Sequence, residues 1–97
     1  MRWYVYLLIC RTGTRYCGMT RDLRRRLAEH HRGDVKYTRP RRPVKLVWYH
    51  VFRTAAQARQ MELSMKNGRS RKKTILQMIS EFPEAALSPF ASGACQG

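Results

Sequence analysis

The sequence predicts an α+β fold, with a small, mostly antiparallel three-stranded sheet flanked by helices in the order β-β-α-β-α-α. Two segments rich in aromatic and β-branched residues follow each other near the N-terminus, and a third lies in the middle of the chain. The stretches between and after them carry apolar residues at helical spacing and end in capping or breaking residues. With 97 residues, the chain has room for one modest core and therefore for one domain.

The first two strands form a predicted hairpin. Residues 3–9 (Trp-Tyr-Val-Tyr-Leu-Leu-Ile) favour a strand, residues 12–14 supply a turn, and residues 15–18 (Arg-Tyr-Cys-Gly) return. Because side chains alternate along a strand, the two tyrosines of the first strand share one face of the sheet and its tryptophan lies on the other. Residues 44–52 are expected to form a central strand.

The first helix is predicted from the residues at its two ends. Thr20 or Asp22 is suited to cap its N-terminus, the helix runs to about His31, and Gly33 stops it. A loop rich in arginine, lysine and proline is expected to follow, over residues 34–43.

Two further helices are predicted in the second half of the chain. Thr54, with Gln57 three residues later, forms a capping box that starts the second helix, which Gly68 closes. The third helix is expected to run from Ser70 to Pro83, with an apolar side made of Ile75, Leu76, Ile79 and Phe82. Residues 83–97 carry small residues and little pattern, so we expect a domain over residues 1–82 and a loosely ordered tail after it.

The charge of the chain predicts a polyanionic partner. Twenty Lys and Arg residues against six acids give a net charge of +14, and a basic surface releases counterions from a nucleic-acid backbone. A ribosome-associated or merely soluble cationic protein would have the same balance. No run of apolar residues is long enough to span a membrane and no signal-peptide pattern is visible, so we expect a cytoplasmic, nucleoid-associated protein with no membrane partner.

The cysteines do not indicate a metal site or a disulfide framework. Cys10, Cys17 and Cys95 are widely spaced and form no CxxC pair. Cys10 and Cys17 are expected to pack as small apolar residues in a reducing compartment.

Glu62 is the acid whose position is most informative. It falls beside Met61 and one turn before Met65, next to the apolar stripe of the second helix, where a charged carboxylate is costly without a partner. An ion pair with Lys66, four residues later, is the ordinary interpretation. The functional alternative is a single hard cation held by this carboxylate and by several waters, which suits Mg²⁺.

Two tyrosines of the predicted hairpin are candidates for chemistry. Tyr6 and Tyr16 lie on neighbouring strands, close enough to share a site, although tyrosines in strands more often serve packing. A phenol has a pKa near 10 and is a poor base at neutral pH. It becomes useful when a metal-bound water and a guanidinium lower that pKa or share the proton.

Arg26 and His30 are the candidates on the first helix. The run Arg24-Arg25-Arg26 reads by default as a solvated basic face, but Arg26 lies nearest to the apolar seam of the helix. An arginine at the edge facing the sheet can bind a phosphate through two hydrogen bonds and stabilise charge on its oxygens. His30, one turn later, could orient water or relay a proton.

A set of short motifs extends over about residues 2–80. It consists of Tyr4-Val5-Tyr6, Tyr16-Cys17-Gly18, Thr20-Arg21-Asp22-Leu23, Arg26, His30, Tyr37-Thr38, Arg42-Pro43, Leu46-Val47, Ala58, Glu62, Lys66 and Arg71 to Lys73. In these motifs the chain resembles the GIY-YIG endonuclease superfamily, and in particular its short stand-alone bacterial members. The first signature lacks its glycine and isoleucine, and Cys17 stands where isoleucine is usual, but the residues expected to do chemistry are unchanged.

The resemblance implies a metal-dependent endonuclease that hydrolyses DNA phosphodiester bonds, with a structure-selective role in DNA repair or processing. It implies a single Mg²⁺ or Mn²⁺ held by Glu62, catalytic roles for Tyr6, Tyr16 and Arg26, and assistance from His30, which matches a histidine of many members. The basic residues expected to follow the nucleic-acid backbone are Arg24, Lys36, Arg39, Arg41, Arg42, Lys66, Arg71, Lys72 and Lys73. RNA stays open as an alternative substrate.

Two other functions remain open from the sequence. One is a nucleic-acid-binding module of the same fold without catalysis. The other is a nuclease active only with a protein partner that supplies target specificity, docked on Trp48, Tyr49 and the region of Phe90. The catalytic interpretation requires Glu62, the two phenols and the guanidinium to meet at one pocket.

Overall fold

The computed structural model describes residues 2–66 and 72–96, and in the second range the side chains of residues 75–90. The strands are β1 (Trp3–Cys10), β2 (Arg15–Thr20) and β3 (Val44–Phe52). The helices are α1 (Leu23–Arg32), α2 (Ala55–Lys66), α3 (Lys72–Glu81) and α4 (Glu84–Gln96), with a 3₁₀ turn at Arg39–Arg41. The predicted α+β class and the antiparallel three-stranded sheet are confirmed.

The sheet has the order β2-β1-β3, and both pairings are antiparallel. The expectation that residues 44–52 form the central strand is wrong, because β1 occupies the centre and β3 an edge. The burial pattern gives the physical reason. Four consecutive residues of β1 (5–8) are buried, as in a strand covered on both faces, whereas β3 alternates between buried and exposed positions.

Helices cover both faces of the sheet. On one face, α2 and α3 pack over Val5, Leu7 and Cys17, with Trp48 of β3 in the same cluster. On the other face, α1 and the start of α4 pack over a cluster that includes Tyr6. The alternation of side chains along β1 therefore divides the interior into two cores, as the sequence predicts. Cys10 and Cys17 are buried free thiols in these cores.

Both ends of α1 and the start of α2 have the predicted capping hydrogen bonds or backbone conformation. The Asp22 side chain accepts a hydrogen bond from the backbone N–H of Arg25, and Gly33 ends α1 in a left-handed conformation with φ of 91°. The Thr54 hydroxyl accepts a hydrogen bond of 3.2 Å from the backbone N–H of Gln57 at the start of α2. Gly68 and Ser70, predicted to end the second helix and begin the third, lie outside the described residues.

The segment after Phe82 is helical, where the sequence analysis expects a loosely ordered tail. Residues Glu84–Gln96 form α4, which packs on α1 and β3. Its apolar residues are few, but Leu87 and Phe90 are three apart and so lie on one side of the helix, where they join the Tyr6 core. Pro89, a residue that usually breaks helices, lies within α4, so the sequence does not predict a helix here. The division of the chain into a nuclease-like unit at 1–82 and a separate tail stays a prediction.

The proposed partner surface around Trp48, Tyr49 and Phe90 is occupied within the molecule. Trp48 is 8% exposed, and the Tyr49 ring packs against Phe82 and Phe90 with centroids 5.1 and 5.3 Å apart. The Tyr49 hydroxyl also donates to the Ala86 carbonyl oxygen at 3.1 Å. Tyr49 and Phe90 bind α4 to the sheet, and Trp48 packs in the core under α2 and α3, so the three residues do not form an open docking face.

The apolar side predicted for the third helix is only partly buried. Leu76, expected on the apolar side of the third helix, is 52% exposed, while Ile75 next to it is buried. Among the described residues, the helices are too short and too polar for any of them to cross a lipid bilayer.

The docking of α4 predicts a stability effect at Phe90. Phe90→Ala removes the ring contact with Tyr49 and the cationic contact with Arg24, so the free energy of unfolding should fall by about 1–2 kcal/mol for this half-buried ring. Urea denaturation measures the change. Leu76→Ala, at an exposed position, is the control and should cost less than about 0.5 kcal/mol. Equal effects of the two substitutions would contradict the packing of α4.

Candidate active site

Tyr6 lies at the centre of the candidate site. It is 0% exposed on the middle strand, and its hydroxyl is 2.9 Å from Nε2 of His30. Gly18 lies directly opposite on β2, and a Cβ added there would be 2.5 Å from the phenolic oxygen. The glycine of the second signature therefore leaves the space that the Tyr6 phenol fills.

His30 links Tyr6 to the loop after α1. It is fully buried on the inner side of α1, and its Nδ1 is 2.8 Å from the Thr38 hydroxyl, which is also 0% exposed. The Thr38 hydroxyl lies 3.5 Å from the Val35 carbonyl, to which it can donate. This network favours the tautomer with the proton on Nδ1 donating to Thr38, so that Nε2 accepts from the Tyr6 hydroxyl.

Burial sets the protonation of this pair. It is the main cause that lowers the pKa of His30 to about 4, with the nearby positive charge of Arg26 acting in the same direction. It also raises the pKa of Tyr6, which the negative form of Tyr16 raises further and the Arg26 guanidinium lowers. At neutral pH the site therefore holds a neutral imidazole that accepts from a protonated phenol.

Arg26 is the arginine of its run that approaches the phenols. Its Nη1 is 2.8 Å from Oε1 of Glu29, and this hydrogen bond is the main cause that raises the pKa of Arg26, with smaller contributions from Tyr6 and Tyr16. Arg25 is far more exposed, with 77% of its side chain accessible, and Arg24 stacks over the ring of Phe90 at 5.6 Å. Helical position thus gives three identical side chains three different environments.

Tyr16 lies between the buried pair and solvent. It is half-buried on the edge strand β2, and its ring centroid is 6.3 Å from that of Tyr6 and 5.0 Å from that of His30. On its outer side, the exposed ring of Tyr37 is 5.5 Å away, with the Arg41 guanidinium 4.1 Å from the centre of that ring. Tyr16 is therefore the phenol of the two that solvent can reach.

Tyr37 and Thr38 are the site residues that the sequence analysis leaves without a role. They occur there only as a motif of the resemblance, because neither has a charge or a helical position that would single it out. Their tertiary contacts with Tyr16 and His30 give them their importance here.

Glu62 lies on α2, which covers the opposite face of the sheet from Tyr6. It is 8% exposed, and Oε2 is 3.4 Å from Nζ of Lys66, the ion pair considered as the ordinary interpretation. Burial, and after it the negative charge of Glu62, raise the pKa of the Cys17 thiol to about 12, so the carboxylate lies near β2. Among the residues that the structure describes, Glu62 makes no hydrogen bond to Tyr6, Tyr16 or Arg26.

A cleft around the β2 edge connects the two faces. Its volume is about 390 Å³. Tyr16 and Tyr37 line it from the α1 side, and Met65 and Lys66 line it from the α2 side. The structure therefore brings Tyr6, Tyr16, Arg26 and His30 together. Glu62 does not join that group: it pairs with Lys66, which lines the cleft, but is not itself among the lining residues. The predicted meeting of Glu62 with the phenols and the guanidinium at one pocket is therefore not observed.

Glu62 lies beside Lys66, a residue of the cleft lining, without being part of that lining, and its carboxylate could hold one hard cation. No cluster of three or more His, Cys, Asp or Glu side chains occurs among the described residues, so an all-protein metal cage is absent from that part of the chain. One carboxylate suffices for Mg²⁺ or Mn²⁺ when waters and substrate phosphate supply the other ligands. The Lys66 side chain is 48% exposed and can turn away from Glu62 toward solvent.

Several arginines predicted to bind nucleic acid also bind the loop that carries them. They donate to backbone carbonyls within residues 31–39: Arg39 to Gly33, Arg41 to Tyr37, and Arg42 to Arg39 and His31. Lys36 is exposed. Arg71 lies outside the described residues, as do the side chains of Lys72 and Lys73.

The neutral state of His30 predicts a loss of stability in acid. A histidine of the unfolded chain has a pKa near 6.5, whereas burial lowers the pKa of His30 to about 4 in the folded protein, so between these values only the unfolded chain gains the proton. The free energy of unfolding should keep this contribution above pH 6.5 and lose it as the pH falls toward about 4, by about 3 kcal/mol in all.

Urea unfolding at near-neutral pH and at about pH 4.5 measures this loss, at the two ends of the titration window. His30→Gln should be less stable at neutral pH and should lose much less on acidification. The exposed His50→Gln is the control and should retain the loss seen in the unchanged chain. His31, whose pKa burial also lowers, titrates in all of these proteins and cancels in the comparison.

Known proteins are similar to this chain in sequence and in fold. Residues 2–75 match the family model described as the GIY-YIG catalytic domain. The chain is 38% identical over 79 residues to the UPF0213 protein SSP2268 of Staphylococcus saprophyticus, covering 80% of this chain and 94% of that protein. It is 45% identical over 65 residues to a UPF0213 protein of Nitratidesulfovibrio vulgaris, covering 66% of this chain but only 59% of that relative.

A solved structure supports the same relationship. The solution NMR structure of the UPF0213 protein BH0048 from Bacillus halodurans aligns with a TM-score of 0.54 and 38% sequence identity, over 86% of this chain and 89% of that one. The family model covers most of the chain, including both tyrosine signatures and Glu62. The chain therefore belongs to the GIY-YIG family and is similar to its short UPF0213 members.

Proposed function

We propose that this protein is a divalent-metal-dependent endonuclease that hydrolyses DNA phosphodiester bonds. The observation that carries the proposal is the convergence of the Tyr6–His30 hydrogen bond, the Tyr16 ring and the Arg26 guanidinium beside a basic cleft. Burying an imidazole between two hydroxyls costs more than filling the same space with apolar side chains, and this cost supports a chemical role for the group.

Arg26 binds the scissile phosphate in this mechanism. A guanidinium donates in parallel to two phosphoryl oxygens and stabilises the negative charge that builds on them during attack. Glu29 holds one of its nitrogens at 2.8 Å, which orients the guanidinium on the surface of α1 and leaves its other N–H groups to face the phenols and the substrate.

Tyr16 orients and deprotonates the attacking water, with Tyr6 as its support. Tyr6 is completely buried and its proton is directed to His30, so it has no path to a water in the cleft. Tyr16 lines the cleft, and its charged form interacts favourably with Arg26. The buried pair packs against the Tyr16 ring and fixes its orientation.

Glu62 is the residue that would hold the cation. When bound, a divalent cation supplies charge neutralisation at the phosphate and stabilises the leaving oxygen. Lys66, released from its ion pair with Glu62, would then contact the nucleic-acid backbone at the same wall of the cleft.

DNA is the proposed substrate, with selectivity for its structure and a role in repair or processing at the nucleoid. The basic surface and the site residues recognise phosphates, which carry no base sequence, so shape determines where such a site cuts.

A non-catalytic binding module is the second candidate, favoured by the Glu62–Lys66 ion pair, which satisfies the carboxylate without a metal.

One experiment separates the two candidates. Purified protein is incubated with supercoiled plasmid, single-stranded DNA, branched DNA and RNA, in Mg²⁺, Mn²⁺ or EDTA. Cleavage that requires the metal supports the endonuclease, and the preferred substrate identifies its class. Gel retardation of the same substrates with no nicking under any condition would favour the binding module. Nicking that appears only after a copurifying protein is added would indicate a partner-dependent nuclease.

The proposed roles predict the effects of substitutions at Arg26 and Glu62. Arg26→Ala removes charge stabilisation at the phosphate, and Glu62→Gln removes the carboxylate that would hold the cation. Each should lower the rate of plasmid nicking by about 10²–10³-fold with little change in DNA retardation.

Matched controls are available for both substitutions. Arg25→Ala removes the same charge one position away and also loses a contact with Glu29, yet should keep at least about half of the activity because its side chain points to solvent. Glu81→Gln on α3 serves the same purpose for Glu62. Unchanged nicking by Arg26→Ala or Glu62→Gln would exclude the mechanism.

Because Tyr6 is fully buried and Tyr16 is only half-buried, removing their hydroxyl groups should have different effects. Tyr16→Phe should lower nicking by about 10²-fold or more without loss of stability, because it removes the group that contacts water. Tyr6→Phe leaves the buried His30 Nε2 without its donor and should lower the free energy of unfolding by about 1–3 kcal/mol, with a smaller loss of rate. Single-turnover nicking and urea unfolding measure the two effects. The reverse ranking of rates would assign the water to Tyr6.

A further inference from the structure

Arg15, at the start of β2, has a buried nitrogen without a hydrogen-bond partner. Its Nη1 is shielded from solvent and forms no hydrogen bond among the described residues. The side chain lines the cleft next to Tyr16, together with Lys66. Arg15 is not among the residues that the sequence analysis assigns to nucleic-acid binding.

Nη1 itself is shielded from solvent, so an anion that compensates this arginine would contact its side chain from the cleft that the side chain lines. The guanidinium cannot lose its charge, and a buried N–H with no acceptor is unfavourable. None of the described acids accepts a hydrogen bond from this nitrogen. Five of the six acids have other partners: Asp22 caps α1, Glu29 binds Arg25 and Arg26, Asp34 binds Arg32, Glu62 binds Lys66, and Glu81 binds Gln77.

The cleft is shaped and charged for a phosphate. Cationic groups lie on both of its walls, Arg15 on β2 and Lys66 on α2, and no acid is among the described residues that line it. Arg41 adds a third positive charge beside the Tyr37 ring at the rim. The volume of about 390 Å³ accommodates a phosphate and part of an attached nucleotide.

We propose that Arg15 binds a backbone phosphate of the nucleic acid, one that lies in the cleft next to the phosphate to be cleaved. Lys66 contacts the same stretch of backbone from the opposite wall. Arg15 thus fixes the strand so that the neighbouring phosphodiester faces Tyr16 and Arg26. This role rests on the proposed function for its catalytic consequence, but the phosphate contact itself requires only binding.

Binding is measured first, in EDTA, so that cleavage does not enter. The affinity for fluorescently labelled single-stranded and duplex DNA is determined by anisotropy over a range of salt concentrations. Arg15→Ala should weaken binding several-fold and reduce the magnitude of the salt slope by about 0.7–0.9, the amount expected for one lost phosphate contact.

Arg53→Ala is the matched control. Arg53 is exposed and follows β3, at the opposite edge of the sheet from the cleft, and its removal changes the net charge equally. It should leave affinity and salt slope close to those of the unchanged protein. Identical behaviour of Arg15→Ala and Arg53→Ala would overturn the proposal. Arg15→Lys, which retains a charge, should recover part of the affinity, and it serves as the test variant if Arg15→Ala fails to fold.

Two further measurements separate this proposal from the nuclease assignment. In NMR titrations with inorganic phosphate, the side-chain Nε–H signal of Arg15 should shift and saturate, whereas that of Arg53 should not; no shift at Arg15 would count against the contact. In metal-dependent nicking, Arg15→Ala should raise KM about five-fold or more and change kcat little. If the unchanged protein does not nick DNA while the binding results hold, the nuclease proposal fails and the phosphate contact stands.

Discussion

The buried hydrogen bond between Tyr6 and His30 connects the parts of this molecule on which the site depends. It joins the middle strand to α1, and the second ring nitrogen of His30 extends the connection to Thr38 in the following loop. All three side chains are 0% exposed, so each polar atom must find its partner within the protein. The positions of Tyr16 and Arg26 follow from this arrangement, because the first packs on the two rings and the second lies on the helix that His30 fixes to the sheet.

The edge position of β2 allows a small domain to bring side chains from two separate cores to one cleft. Tyr16 belongs to the face covered by α1, and Cys17, next in the chain, belongs to the face covered by α2. A central strand would keep these faces apart. At an edge, the space beside the strand is open to both, so Tyr16 and Lys66 line the same cavity although they approach from opposite sides.

The features predicted from the sequence are those that local chemistry determines. Asp22 and Gly33 mark the ends of α1 through their own hydrogen bonds and backbone conformation, and the Glu62–Lys66 pair follows from helical spacing. The remaining features depend on distant partners. Tyr6 and His30 are 24 residues apart, and the order of the strands depends on their pairing. The lack of a partner for Nη1 of Arg15 among the described residues depends on the surrounding tertiary structure. The helix α4 was concealed because its two apolar anchors are flanked by small residues and a proline.

The arginines of the loop between α1 and β3 restrict the substitutions that this surface tolerates. Arg39 donates to the carbonyl of Gly33, and Arg42 uses its planar guanidinium to bridge the carbonyls of Arg39 and His31. A lysine would conserve the charge but offers a compact ammonium without that fork. Exchanges between the two basic residue types, neutral on most cationic surfaces, would here loosen the segment that carries Tyr37 and Thr38. The shape of this loop, more than its total charge, therefore restricts which cations it tolerates.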